Sequence, residues 1–269
     1  MWFENDVTAL VKLLLTAILV SCCATHAAAG EQTTVRGLAD QAVLVHRITK
    51  SVCLLFVGAQ TPVHAEDVAA SVRELNSLSS AIAAQPGADI GLADEVATLT
   101  KSAQQIVAGD RHTVPVTLLI KTNPTLASRY SQMRYRAASE VASKYQNSYA
   151  VLHELRVVSQ AFQRDLCLFL TGLASAGAER AMIERIAYFK ASLDALVSGD
   201  RATGLEAAPN IHIKITLGKV AAKWNTLQPI LSAAASGGPI DPRDVQLASV
   251  LGDAILNNLD QISDRFLDL

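Results

Sequence analysis

The chain has 269 residues, of which 50% are hydrophobic and 5% aromatic, and its formal net charge is −2. A nucleic-acid binder normally shows a basic face, so this charge argues against a nucleic-acid partner. The length allows one or two domains, and the abundance of Ala and Leu is typical of helices that pack through small and aliphatic side chains.

The N-terminal residues 1–29 read as an export segment. Residues 7–20 are nearly all apolar, a stretch that is short for a membrane span and long enough for the core of a signal peptide. The three alanines of residues 27–29 form a cleavage site that predicts a soluble, periplasmic product. Residues 19–22 (Leu-Val-Ser-Cys) instead resemble a bacterial lipobox, with cleavage before Cys22 and lipidation of that residue. An uncleaved anchor is the third alternative.

Beyond this segment, apolar residues recur with helical spacing and predict an all-α protein. The β-branched stretch 113–122 is expected to be a helix with Pro115 in its first turn. Asn123-Pro124 is then expected to start a long helix that joins the two halves of the chain, with Asn147 as a candidate kink. The predicted helices cover about 32–57, 66–84, 91–107, 113–122, 124–173, 178–197, the stretch from Pro209 to the break at 237–239, and 242–266.

One short pattern occurs twice. Residues 51–58 (Ser-Val-Cys-Leu-Leu-Phe-Val-Gly) align with residues 165–172 (Asp-Leu-Cys-Leu-Phe-Leu-Thr-Gly), and the flanking apolar stripes stay in phase. Such an internal repeat predicts two tandem antiparallel helical-bundle units, residues 30–146 and residues 147–269. The units form either separate bundles or one shared bundle, and the long central helix is one way of joining them.

Cys53 and Cys167 hold equivalent positions of this repeat, among aliphatic residues. They fit two interpretations. Both are buried free thiols that fill core space, or they form a disulfide, because an exported protein meets an oxidising compartment. Equivalent positions can approach each other across a pseudo-twofold axis, which would permit the bridge.

No motif for catalysis, phosphate binding or metal binding occurs in the sequence. The six histidines are scattered, without a second ligand residue at helical spacing, and the carboxylates show no distinctive pairing. We therefore expect a non-enzymatic protein without a cofactor or a metal site.

Cations stand out on the first helix of each unit: Arg47 and Lys50 in the first, Arg156 and Arg164 in the second. They are either exposed charges of amphipathic helices or part of an anion site between helices. The second interpretation is chemically reasonable because a guanidinium forms a planar fork that matches nitrate- and carboxylate-shaped ligands.

Arg156 is the most informative of these cations. It lies three positions before Ser159 and four before Gln160, so one helix face would offer a charge, a hydroxyl and an amide together. The candidate ligand-binding residues are therefore Arg156, Ser159, Gln160 and Arg47.

Residues 156–160 (Arg-Val-Val-Ser-Gln) and 164–168 (Arg-Asp-Leu-Cys-Leu) resemble the signature of the type IV pili methyl-accepting chemotaxis transducer N-terminal domain. That family is allied to the sensory domain of nitrate/nitrite sensor histidine kinases. Residues 189–200 resemble the family's second helix, and Trp224 sits where the family often places a Trp on its third. Residues 47–50 extend the similarity to the first unit, so it covers nearly all of the mature chain as two tandem copies.

The resemblance implies a helical extracytoplasmic sensory module that binds a small anion such as nitrate or nitrite and signals through a membrane partner protein. In the sensor kinases the early Arg of the motif contacts the ligand at a symmetric interface, and Arg156 fills that position here. Its equivalent in the first unit is Ala42, so a symmetric pair of arginines does not form within one chain. The alternative is a structural or protein-interaction lipoprotein that keeps the fold without a ligand.

Overall fold

The computed structural model describes residues 36–55, 61–83, 90–110, 113–139 and 145–267. The predictions for the signal peptide, for both cleavage sites and for lipidation of Cys22 lie outside the described residues. No helix within the described ranges is long and apolar enough to span a membrane.

Eight α-helices make up almost all of the described chain, which confirms the all-α prediction. They are α1 (36–55), α2 (Thr61–Ala83), α3 (Ile90–Val107), α4 (Thr113–Ser139), α5 (Gln146–Leu170), α6 (Ala178–Ser198), α7 (Ile211–Ala235) and α8 (Pro242–Leu267).

Two hydrophobic cores organise these helices. One is built mainly from α1 to α4, with Val157 of α5 and Leu256 of α8 added. The other is built mainly from α5 to α8, with Cys53 and Leu54 of α1 added. Each set of four helices therefore has its own interior, and the two interiors meet where α1 lies against α5 and α8. The descent of the two sets from one tandem unit remains a prediction.

Helices α1 and α5 run parallel, because their contacts keep a nearly constant sequence separation. The contact pairs are Asp40–Arg156, His46–Arg164 and Cys53–Cys167, separated by 116, 118 and 114 positions. The structure joins Cys53 and Cys167 in a disulfide, with their Cα atoms 6.2 Å apart. The structure therefore agrees with the disulfide interpretation of these cysteines and not with two free thiols. The disulfide links one set of four helices to the other.

The predicted long central helix is wrong. Arg134 near the end of α4 donates from Nη1 to the carbonyl oxygen of Ala150 at 2.8 Å, and it pairs with Glu154, 20 positions away. In one continuous helix Arg134 would lie about 24 Å from Ala150 and about 30 Å from Glu154, at 1.5 Å per residue. The chain reverses between α4 and α5, which pack against each other as antiparallel neighbours.

Pro124 does not start a new helix as predicted, but lies inside α4. The helix continues through it because Asn123, just before it, is held from outside the helix. Asn123 donates from Nδ2 to the carbonyl oxygen of Val45 and to Oγ1 of Thr49, both at 2.8 Å. These bonds to α1 are tertiary contacts, and they offset the backbone hydrogen bond that proline cannot make. The prediction that 113–122 is helical is confirmed.

Local signals set the first residues of α7 and α8. Asn210 accepts a hydrogen bond from the backbone N–H of Ile213 at 3.0 Å and so caps α7. Asp241 accepts one from the backbone N–H of Arg243 at 2.8 Å, just before Pro242 begins α8. Between α5, α6 and α7, an aromatic cluster of Phe162, Phe189 and Trp224 fills the second core, with the last two rings stacked 4.4 Å apart.

Candidate functional site

Arg156 is buried between three helices, with a side chain that is 5% exposed. Its Nη2 donates to Oδ1 of Asp40 on α1 at 2.5 Å, and its Nε donates to Oδ1 of Asp260 on α8 at 2.5 Å. Its Nη1 donates to Nδ1 of His153, one turn back on α5, at 2.8 Å. Each nitrogen of the guanidinium thus has a partner, and the protein's own carboxylates stand where an anion would bind.

The other predicted ligand residues do not share an open face with Arg156. Ser159 donates its hydroxyl to the carbonyl oxygen of Arg156 at 2.7 Å, and Gln160 donates from Nε2 to Oδ1 of Asp253 at 3.2 Å. Arg47 on α1 is half-buried, and its Nε has no hydrogen-bond partner. Arg156 and Gln160 each bond to a carboxylate of α8, Asp260 and Asp253 respectively, while Ser159 bonds to its own helix.

Lys50 shares the carboxylate of Asp253 with Gln160. Its side chain is 1% exposed, and its Nζ donates to Oδ1 and Oδ2 of Asp253 at 2.9 and 3.0 Å. Burial lowers the pKa of Lys50, and the neighbouring carboxylate of Asp253 opposes that effect. We call this set of charged contacts between α1, α5 and α8 the polar layer; its members are Asp40, Lys50, Arg156, Gln160, Asp253 and Asp260.

The electrostatics of the polar layer favour charged arginine and neutral histidine. Burial tends to lower the pKa of Arg156, but Asp40 and Asp260 outweigh it and raise that pKa. Burial raises the pKa of Asp260, because the attraction of Arg156 only partly offsets the loss of water. Burial, together with the charge of Arg156, holds the pKa of His153 well below its ordinary value.

An open cleft lies elsewhere, between α4, α5 and α6, with a volume of about 720 Å³. Its floor is the apolar face of α5 formed by Val157, Val158 and Ala161. Two tyrosines stand on its opposite walls, Tyr135 of α4 at 73% exposure and Tyr188 of α6 at 40%. We call this space the cleft. The lining of the cleft includes none of the four predicted ligand residues, Arg47, Arg156, Ser159 and Gln160.

A second cavity of about 490 Å³ adjoins the cleft, since Pro124, Arg164, Ala181 and Arg185 line both. We call it the cationic end of the cleft. Its charged lining consists of three cations and one carboxylate, a formal net charge of +2: Lys121 of α4, Arg164 and Asp165 of α5, and Arg185 of α6.

Arg164 is fixed in place at this end. Its Nε donates to Oδ1 of Asp165 at 2.7 Å, and its Nη1 donates to Oδ1 of Asn123 at 2.5 Å and to Nδ1 of His46 at 2.9 Å. Arg185 bonds to the other carboxylate oxygen of Asp165. Burial and the charge of Arg164 hold the pKa of His46 well below its ordinary value, which favours a neutral ring, and Nδ1 of that ring also lies 3.0 Å from Oδ1 of Asn123.

Sequence reasoning singled out Arg164 but missed Lys121, Arg185 and the two tyrosines. Nothing local marks those residues, because they lie on two helices, α4 and α6, that meet only in the folded chain. Within the described ranges, no group of three or more His, Cys, Asp or Glu side chains is placed to hold a metal ion.

No protein-family model, no curated protein and no solved structure matches this chain. The similarity to the chemotaxis-transducer and nitrate-sensor domains therefore rests on the residues quoted above.

Proposed function

We propose that this protein is an exported, non-enzymatic sensory or ligand-binding module whose ligand binds in the cleft. The observation that carries the proposal is the cleft itself. Its volume of about 720 Å³ falls in the range of roughly 300–1,000 Å³ that is typical of small-molecule sites. Its lining also combines an apolar floor with a few convergent polar groups, as such sites do.

The contacts of Arg156 favour the cleft over Arg156 as the ligand site. A nitrate or nitrite ion at Arg156 would have to displace the carboxylate of Asp40 or of Asp260, each bonded at 2.5 Å. The displaced carboxylate would then lose its ion pair with the buried guanidinium of Arg156, which costs free energy. The cationic end of the cleft offers positive charge without such an exchange.

The position of the cleft suits a signalling role. Its wall from α4 belongs to the first set of helices, and its floor and other wall, α5 and α6, belong to the second. A ligand that contacts both walls would favour one relative position of the two sets. Under this proposal, a membrane partner protein would read that position.

A matched pair of variants tests the proposal. Ala181 lines the cleft and its cationic end, whereas Ala187 on the same helix is exposed and lines neither. Nitrate, nitrite and small carboxylates, with and without apolar groups, are screened by thermal shift, since a ligand that binds only the folded state raises its stability. We expect Ala181→Trp to abolish the shift and Ala187→Trp to preserve it.

The opposite pattern contradicts the proposal. If every stabilising compound acts equally on the parent protein and on Ala181→Trp, the ligand does not bind in the cleft. If binding is instead lost in Arg156→Ala while that variant remains folded, the site lies in the polar layer, as the family resemblance implies.

The second candidate function is a structural or protein-interaction lipoprotein that keeps the fold without a ligand. The observation that favours it is the pairing of Arg156 with Asp40 and Asp260, since these carboxylates of the same chain already accept the hydrogen bonds that an anion would receive. Under this alternative, no compound in the screen stabilises the parent protein more than Ala181→Trp. Mass spectrometry of the mature N-terminus tests its lipoprotein part, since lipidation would leave Cys22 as the first residue.

A further inference from the structure

We infer that the ligand of the cleft is an amphiphilic carboxylate, with its anionic head at the cationic end and its apolar body on the floor of α5. The inference rests on the proposed function, because it assigns the chemistry of the ligand that the cleft is proposed to bind. Small inorganic anions would occupy only the cationic end.

The charge balance of the cationic end calls for an anionic group. Lys121, Arg164 and Arg185 surround a single carboxylate, Asp165, so the lining keeps a formal charge of +2. Both guanidinium groups bond to that same carboxylate. One carboxylate therefore serves two cations, and an incoming anion would complete the pairing.

Arg185 is the side chain best placed to bind the head group. Among its described bonds, only Nη1 is used, toward Asp165, and the side chain is 29% exposed. A guanidinium has five N–H donors in a planar fork, so Arg185 retains donors for a carboxylate of the ligand. Lys121 is exposed on the opposite wall and adds a second cationic donor.

The floor of the cleft favours an apolar body for the rest of the ligand, and the charged residues Arg134, Glu154 and Glu184 that also line the cleft are engaged in ion pairs. Val157, Val158 and Ala161 form its floor, and Tyr135 and Tyr188 flank it from opposite walls. An aromatic or aliphatic body would bury against this floor, and an aromatic one would also pack on the tyrosine rings. The residues shared by the two cavities keep head and body in one continuous space.

A pair of matched probes tests the inference: 2-naphthoate and its neutral analogue 2-naphthamide, titrated calorimetrically into the whole protein. We expect the carboxylate to bind about tenfold more tightly, since one hydrogen-bonded ion pair at a partly buried site is worth roughly this factor. Raising the salt concentration should weaken the binding of naphthoate and leave the binding of naphthamide nearly unchanged.

Charge-removing variants locate the head group. Arg185→Gln and Lys121→Gln should each weaken the binding of naphthoate severalfold without changing the binding of naphthamide. The control Lys219→Gln removes an exposed charge on α7 and should change neither affinity. Lys121→Gln guards against misfolding of Arg185→Gln, because Lys121 is exposed whereas Arg185 pairs with Asp165.

Equal binding of the two probes, or naphthoate binding that is unaffected by both variants, overturns the inference. Neutral compounds that bind in an Ala181-sensitive way would then leave the proposed function standing, with a neutral ligand. If naphthoate fails to bind while other compounds stabilise the protein through the cleft, the inference again fails alone.

Discussion

Asp40 and Arg156 are bonded across the interface of the parallel helices α1 and α5, with Oδ1 of Asp40 accepting from Nη2 of Arg156 at 2.5 Å. Asp40 lies two positions before Ala42, the residue that aligns with Arg156 in the internal repeat. The first half of the chain therefore supplies an anion to the arginine of the second half. This pairing makes Arg156 a structural residue of the polar layer in the described conformation.

Replacing Arg156 should strongly destabilise the protein. Arg156→Ala leaves the carboxylates of Asp40 and Asp260 without their shared cation and removes a buried side chain. We expect the free energy of unfolding to fall by about 3 kcal/mol, as measured by urea denaturation. Arg180→Ala is the control, since Arg180 forms an exposed ion pair with Glu184 and should change stability by less than about 0.5 kcal/mol. If both variants lose the same stability, the ion pairs of Arg156 stabilise the protein no more than an exposed ion pair does.

Lys50 and Asp253 should respond asymmetrically to substitution. Lys50→Met keeps the volume of a buried side chain and leaves Asp253 partly exposed and bonded to Gln160, so stability should stay the same or rise. Asp253→Ala leaves a buried ammonium unpaired and should cost about 3 kcal/mol. Adding Lys50→Met to Asp253→Ala should recover most of that loss in chemical denaturation. A double variant as unstable as Asp253→Ala alone would contradict this explanation.

The disulfide between Cys53 and Cys167 should contribute substantially to stability. It closes a loop of 114 positions, and a loop of this length restricts the unfolded chain by an amount worth up to about 5 kcal/mol. Paired replacement by Ala should lower the melting temperature, and reductant should lower it only in the parent protein. Peptide mapping without reductant should recover a linked pair of peptides, and free thiols at both positions would refute the bridge.

Stability should decrease as the pH falls below the ordinary histidine pKa of about 6.5. Burial holds the pKa of both His46 and His153 well below that value, with Arg164 and Arg185 adding to the effect at His46 and Arg156, Arg134 and Arg36 at His153. The unfolded chain therefore binds protons that the folded chain does not. Each histidine should cost about 1.4 kcal/mol of stability per pH unit below 6.5, and nothing above it.

A histidine variant isolates this effect. His153→Gln preserves an acceptor near Arg156 and should make the dependence of stability on pH between 6 and 5 shallower by about 1.4 kcal/mol per unit. His212→Gln, at an exposed position, should leave it unchanged. Denaturant unfolding at several pH values measures both, and identical slopes in His153→Gln and the parent would show that His153 is not buried as a neutral ring.

The helices were largely predictable, since their signals are local. Asn210 and Asp241 cap α7 and α8 close to where apolar periodicity begins, and Gly199, with a φ of 78°, follows α6. Pro124 shows where such reasoning ends. Its sequence context indicated a helix start, yet the bonds from Asn123 to α1 keep α4 continuous through it.

The candidate site was less predictable. Arg156 and Gln160 were chosen because they share a helix face, and they do lie in one buried layer. Their partners Asp40, Asp253 and Asp260 lie between 93 and 116 positions away, so helical spacing could not show that the charge of Arg156 was already neutralised. The cleft depends in the same way on Lys121 and Arg185, which come from different helices.

The sequence by itself determined the all-α class and most helix boundaries. Those properties depend on residues a few positions apart, through periodicity, caps and breakers. Only the tertiary structure decided that the chain reverses between α4 and α5, that α1 and α5 run parallel, and that Arg156 is paired while the cleft is open. These features depend on side chains that come together only when helices pack, because ion pairing and cavity shape are set by distance in space.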